Sequence, residues 1–431
     1  MKKIIIILLV CSFYFVSLVF FGAIVRHVSQ GGPYSETFIA KFADNLSQIP
    51  SNIKTYLFGG NQTVERLENV VKRETSRGIK KYKKSKVEEY ILISSYFNSE
   101  NTFKLQLIDI LNDQIIHTWD PSKFFAALST SEASARYTFE HSKLLENGDV
   151  LISSGNKPIL RINPCSEIIW KSQIRAHHSK ELDHEKNIWA PIYIENDERY
   201  FKGTKLKFHD GIVKININNG EILFIKSLVD ILKENKLFDL IGNSYYGNDP
   251  IHLNDIQPVL KDNKFWKKGD IFMSMRNISL VIHYRPSTNK VLWYQFGPWR
   301  HQHDIDIIND TTIAVFNNNT KLNLKLVNNN SNIISYDFEK NKIAKPFEKL
   351  FIRNKIRTYY EGLFEKIDQN HIFVEEQENG RVLKGNKDGE IIWEYIWDAK
   401  VKWSRYYSQE HFKKYGNLNE TIKKIKNTKC G

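Results

Sequence analysis

Hydrophobic and polar positions follow two regimes along this chain. Residues 4–25 hold no charged side chain. As a helix rising 1.5 Å per residue they span roughly 33 Å, enough for the hydrocarbon core of a bilayer. The run is longer than the apolar part of a cleaved leader, and Phe20, Phe21, Gly22, Ala23 and Ile24 offer no small-x-small cleavage site. An uncleaved signal anchor over residues 1–27 is therefore expected. Lys2 and Lys3 hold its short end in the cytoplasm, so the body of the chain lies outside, in the periplasm of a bacterium. Residues 28–87 read as a helical juxtamembrane stalk. Phe38, Ile39, Phe42 and Leu46 fall at helical spacing before Pro50, and 63–80 is a highly charged second helix.

From residue 88 the period shortens to that of β-strands broken by turns, in a unit that recurs every 40 to 50 residues. One copy runs from His141 to Trp170, and others begin at His178, His252 and His303. Residues 362–393 form the last, and 90–119 a degenerate first. The turns NGD, NNGE, STNK and KDGE place Gly, Asn or Asp where hairpins demand positive φ. Six copies of several strands each predict an all-β, six-bladed β-propeller over residues 88–396. Residues 397–431 are left as a C-terminal cap or tail.

Composition agrees with this reading. Aromatic residues reach 13%, with 26 Phe and 20 Tyr, and such side chains favour pleated, half-buried surfaces. A net charge of +13 raises the question of nucleic acid. The excess, however, consists of scattered lysines, without an Arg-rich run or any helix-turn-helix or zinc-finger spacing, so no nucleic-acid partner is expected. Cys11 lies in the apolar run, which leaves Cys165 and Cys430 free to pair in an oxidising compartment.

Candidate chemistry lies with the histidines. His141, His178, His252 and His303 each open a copy just before its first apolar strand. In a propeller the innermost strands line the central channel, so equivalent positions in successive blades converge on the axis. His177, His178, His301 and His303 could supply imidazoles to a metal, but no carboxylate–histidine spacing accompanies them, and neither metal nor cofactor is expected.

The stretches His252-Leu253-Asn254, Ser274-Met275-Arg276-Asn277 and Gln302-His303-Asp304 stand in the order and spacing of the arylsulfotransferases. Those enzymes carry an H-x-N-S segment, an S-x-R segment and a Q-H segment followed by an F-D-N strand end. His177-His178 resembles the H-H that opens an earlier blade. The resemblance covers residues 90–393 and is sharpest over 250–319. It implies transfer of a sulfuryl group from a phenolic sulfate ester to a phenol, with no nucleotide sulfate donor and no metal. By the same resemblance His303 is the nucleophile, transiently sulfated. His252, Arg276, Asn254 and one of His177 or His178 hold the sulfuryl and bridging oxygens. Asp304, or a backbone carbonyl, is expected to accept from the second nitrogen of His303 and fix its tautomer. Two positions depart from the pattern: Asp255 replaces the serine of H-x-N-S, and Asn317 the aspartate of F-D-N. They motivate the alternative of a non-catalytic envelope scaffold.

Overall fold

The computed structural model describes residues 2–29, scattered positions between 37 and 49, and 78–84, 87–97, 102–121, 139–154, 157–195, 208–243, 249–320, 330–397 and 402–430. Lys2–Ser29 is a single helix. Its segment Lys2–Val25 is long and apolar enough to cross a membrane, and it buries none of its surface in the protein. Such length and composition fit a membrane span and a signal sequence alike. Most of the expected second stalk helix, residues 63–77, lies outside the described residues. Its last positions are not helical, because Gly78–Lys81 forms a strand along Ile391–Ile396.

The described strands of the body form six antiparallel sheets arranged as the six-bladed propeller that the repeats predicted. The fourth blade is typical, running outward through Leu253–Pro258, Ile271–Met275, Leu280–Arg285 and Lys290–Phe296. Burial follows that order: the first three strands are almost wholly buried, while the outermost alternates. Six hydrophobic clusters lie between neighbouring blades. Leu253, Met273 and Leu280 of the fourth blade, for instance, pack on Trp189 and Ile212 of the third. The turn glycine Gly220 has φ 77°, and a Cβ there would sit 2.9 Å from the Trp170 ring of the blade before, so both conformation and space require glycine.

The ring extends beyond residue 396. Lys402–Ser408, expected within a cap, is the inner strand of the first blade, pairing Glu89 with Ser408 and Tyr90 with Tyr407. The first copy looks degenerate because its inner strand stands at the other end of the chain. Helix Leu418–Asn427 then buries Ile422 and Ile425 against the first and second blades. Cys165 and Cys430 are disulfide-bonded, with Cα atoms 5.3 Å apart.

Each inner strand leaves one edge of backbone N–H groups without a ladder partner, a cost unless another acceptor is found. A carboxylate from the preceding blade provides one in five blades, and the Tyr407 hydroxyl accepts from Leu144 N at 3.0 Å in the second. Glu140 Oε2 accepts from His178 N at 3.0 Å, and Asp210 Oδ2 from Leu253 N at 3.0 Å. Asp255 Oδ2 accepts from Ile305 N at 2.7 Å, Asp304 Oδ2 from Phe364 N at 2.7 Å, and Glu375 Oε2 from Ser404 N. These links hold the inner strands in mutual register and thereby set the positions of the histidines at their starts.

Candidate active site in the channel

The backbone corner before an inner strand is left-handed: φ is 40° at His141, 53° at His178, 56° at His252 and 51° at His301. A side chain with Cβ is uncommon there. The fourth member of this series is thus His301 rather than the expected His303. Two residues beyond the corners stand Lys143, Lys180, Asn254 and His303, all buried. Only the fifth blade places an imidazole at that deeper level.

His178, His252 and His303 nevertheless meet. One ring nitrogen from each lies within 4.8 Å of the other two, and the His178 ring centroid is 5.0 Å from that of His252 and 6.3 Å from that of His303. The second nitrogens are committed. His303 Nδ1 contacts Asn318 Oδ1 at 2.7 Å, and Asn318 Nδ2 donates to the carbonyls of Thr358 and Glu361 at 3.1 and 2.7 Å. With both amide protons so used, Oδ1 must accept, Nδ1 carries the ring proton, and Nε2 keeps its lone pair. That Nε2 is buried with no hydrogen-bond partner among the described residues. His252 Nδ1 is bound by the Asp249 carboxylate, which leaves Nε2 for the channel. His178 Nδ1 meets His177 Nδ1 at 2.8 Å, while His177 Nε2 lies 3.4 Å from Asp210 Oδ1. The Nδ1–Nδ1 contact commits one nitrogen of His178 to His177 and leaves its Nε2 uncommitted.

Electrostatics reinforce the neutral state. Burial holds His303 well below the ordinary imidazole range, and the charges of Arg276 and His252 lower it further. His178 is lowered by burial and then by its neighbours His252, His177 and His303. Arg276 is buried, its N–H donating to the His252 carbonyl at 3.0 Å and its Nη1 to Asn277 Oδ1 at 2.8 Å. A fixed cation thus stands beside neutral nucleophile-type nitrogens, an arrangement suited to an anionic group undergoing attack.

Several expected roles change. Asp304 does not orient His303, because its carboxylate serves the sixth blade through Phe364 N; Asn318 orients it instead. Asn254 donates from Nδ2 to the Gln302 carbonyl at 2.8 Å, just before His303. Of the adjacent pair, His178 faces the trio, whereas His177 stacks on Tyr193 at 4.1 Å. His141 is buried against Trp403 at 4.0 Å and does not join the trio. Asp255 adds no bare charge to the site: it accepts from Ile256 N and Ile305 N, and burial followed by the Glu181 charge pushes it up to about 6. Asn317 staples the loop ahead of the site by accepting from Arg300 N at 2.6 Å. Sequence reasoning passed over Asp249 and Asn318. The spacing D-x-x-H marks the first, and the final residue of Phe316-Asn317-Asn318 marks the second.

Farther along the channel, toward the C-terminal ends of the inner strands, lies a cavity of about 120 Å³ into which Lys143 and Glu181 reach from the strand starts, lined also by Asp306, Glu365, Arg405 and His411. Here the charges are paired. Lys143 Nζ is 2.5 Å from Glu181 Oε2, Arg405 bonds Glu181 Oε1, and His411 Nε2 is 2.9 Å from Glu365 Oε2.

No curated protein matches this sequence. Among solved structures, a protein of unknown function from Bacteroides caccae is similar, at 11% identity and TM-score 0.47 over 74% of this chain and 98% of its own. U3-55K is similar at 5% identity and TM-score 0.35, over 59% of this chain and 62% of its own. The sequence model of the arylsulfotransferase (ASST) family matches residues 141–398, more than half of the chain and all three histidines of the trio. The chain therefore belongs to the arylsulfotransferase (ASST) family.

Proposed function

We propose that this protein transfers a sulfuryl group from a phenolic sulfate ester to a phenolic acceptor through a sulfo-histidine, working outside the membrane in which residues 1–27 anchor it. The observation that carries this reading is the buried, unpartnered Nε2 of His303, with its tautomer fixed by Asn318 and a guanidinium alongside. In the first half-reaction Nε2 attacks sulfur. An N–S bond forms, the S–O bond to the aryl group breaks, and the departing phenolate takes a proton from His252 as imidazolium, which Asp249 supports. In the second half, His252 accepts the proton of the acceptor phenol, whose oxygen attacks sulfur as the N–S bond breaks. Arg276 holds the sulfuryl oxygens as charge develops on them, and His178 joins it as a donor when its Nε2 carries the ring proton. His177 positions His178, Asn254 positions the chain before His303, and Asp304 anchors the next blade.

The test uses the full-length protein in detergent with p-nitrophenyl sulfate and a second phenol. Release of p-nitrophenolate should depend on the acceptor, and a one-sulfuryl mass increase should map to His303. His303→Ala should lower turnover by at least about 10³-fold at unchanged melting temperature. Equal turnover in parent and variant would remove His303 from the chemistry.

A further inference from the structure

We propose that His178, His252 and His303 also form a three-imidazole site for a borderline divalent transition-metal ion such as Zn²⁺ or Co²⁺. The inference stands on the geometry of the ring and not on sulfuryl transfer. One nitrogen from each imidazole already lies within 4.8 Å of the other two. A tetrahedral ion with Zn–N bonds of about 2.0–2.1 Å brings its nitrogens to about 3.4 Å from one another, so each ring needs to shift by only about 1 Å. His178 and His252 are half-buried, while His303 is buried and held by Asn318.

The outer contacts favour the same use. Metal-bound imidazoles give their second nitrogen to a carboxylate, carbonyl or similar acceptor, which sets the tautomer and increases basicity at the ligating atom. Here Asp249 holds His252, the Asn318 amide oxygen holds His303 at 2.7 Å, and His177 holds His178 at 2.8 Å. Three ligands from three successive blades leave a fourth position on the solvent side for water or an anion, as in open zinc sites. Imidazole ligation selects ions of the zinc, cobalt and copper class over calcium or magnesium. Arg276 opposes a second cation nearby, which makes the expected affinity micromolar rather than nanomolar. Metal and sulfate ester would engage the same three nitrogens and so exclude one another.

The experiment is a titration of tag-free, full-length, chelator-treated protein in detergent with Co²⁺, followed by its visible absorption, and with Zn²⁺ by calorimetry. One ion per chain and an intense tetrahedral cobalt spectrum are expected. His252→Ala and His303→Ala should each weaken binding by at least about 100-fold, and Asp249→Asn by about 10- to 100-fold. Melting temperatures without metal check that each variant folds, and His252→Gln replaces the alanine variant should that one fail. Absence of saturable binding would overturn the site. So would binding that survives both His252→Gln and Asp249→Asn unchanged, since the ion would then sit on other histidines, such as His184 or His371. Turnover is not read, so this outcome is independent of the fate of His303 in sulfuryl transfer.

Discussion

The two ends of the channel are built from the same inner strands, yet they treat polar groups in opposite ways. At the C-terminal end most buried groups are matched: Glu181 lies between Lys143 and Arg405, and Glu365 beside His411 Nε2, while burial pushes their neighbour Asp306 up to about 7. At the N-terminal end burial and neighbouring charge hold His178 and His303 neutral. Each histidine of the trio commits one nitrogen to a neighbour, and His303 Nε2 is left without a hydrogen-bond partner among the described residues. Burying an unpaired acceptor costs about 1–3 kcal/mol, which a fold tolerates where a ligand will complete the set. Compensated charge marks the structural end of this channel, and uncompensated lone pairs mark the chemical end.

The most severe way to break the contrast is to unbalance the charged end. Glu181→Ala leaves Lys143 and Arg405 buried without their shared partner, and loss of about 3–5 kcal/mol of stability is expected. Denaturant unfolding of the detergent-solubilised protein measures it, while turnover per folded molecule should stay near that of the parent. An equal loss of turnover would mean that the two ends are coupled. The complementary change at the other end is Arg276→Ala. Removing a preorganised cation from developing charge should lower kcat by about 10²–10³-fold, against a loss of stability below that of Glu181→Ala. A variant that loses stability but keeps kcat would make Arg276 a structural residue.

How much of this was legible in the sequence depended on whether a feature was local. The blade unit was, because strand periodicity and turn chemistry are written within 40 residues. Closure of the ring was not: Glu89–Phe97 pairs with Lys402–Ser408 across almost the whole chain, and nothing in either segment names the other. The histidines were half legible. His178 and His252 stand at the repeated left-handed corner, where register finds them, but the corner of the fifth blade is His301. His303, read as that blade's opening histidine, lies two residues farther on, and its role as nucleophile came only from family resemblance. The partners that fix the tautomers were missed for the same reason. Asn318 approaches His303 from the next strand of its blade, and Asp304, its neighbour in sequence, is drawn away by the backbone of the sixth blade.

The smallest predicted effect sharpens the comparison through two buried glutamates, one at each end. Burial opposes the charge of both. At the charged end Arg405 and Lys143 overcome it and pull Glu181 down to about 2. At the histidine end Glu375 has only the neutral donors Ser404 and Trp403 N, and burial pushes it up to about 8 from an ordinary 4.5. The folded state therefore holds this proton more tightly than the unfolded one. Stability from Glu375 is fully present below about 4.5, declines as pH rises, and is lost above about 8. Glu181 is already ionised throughout this window and contributes no slope. Glu375 therefore contributes a loss of stability between pH 5 and 8, and over that window the melting temperature of Glu375→Gln, which retains an acceptor for Ser404 N, should fall less, or rise more, than that of the parent. An unchanged slope in the variant would move the titration elsewhere and leave the carboxylates of the two ends alike.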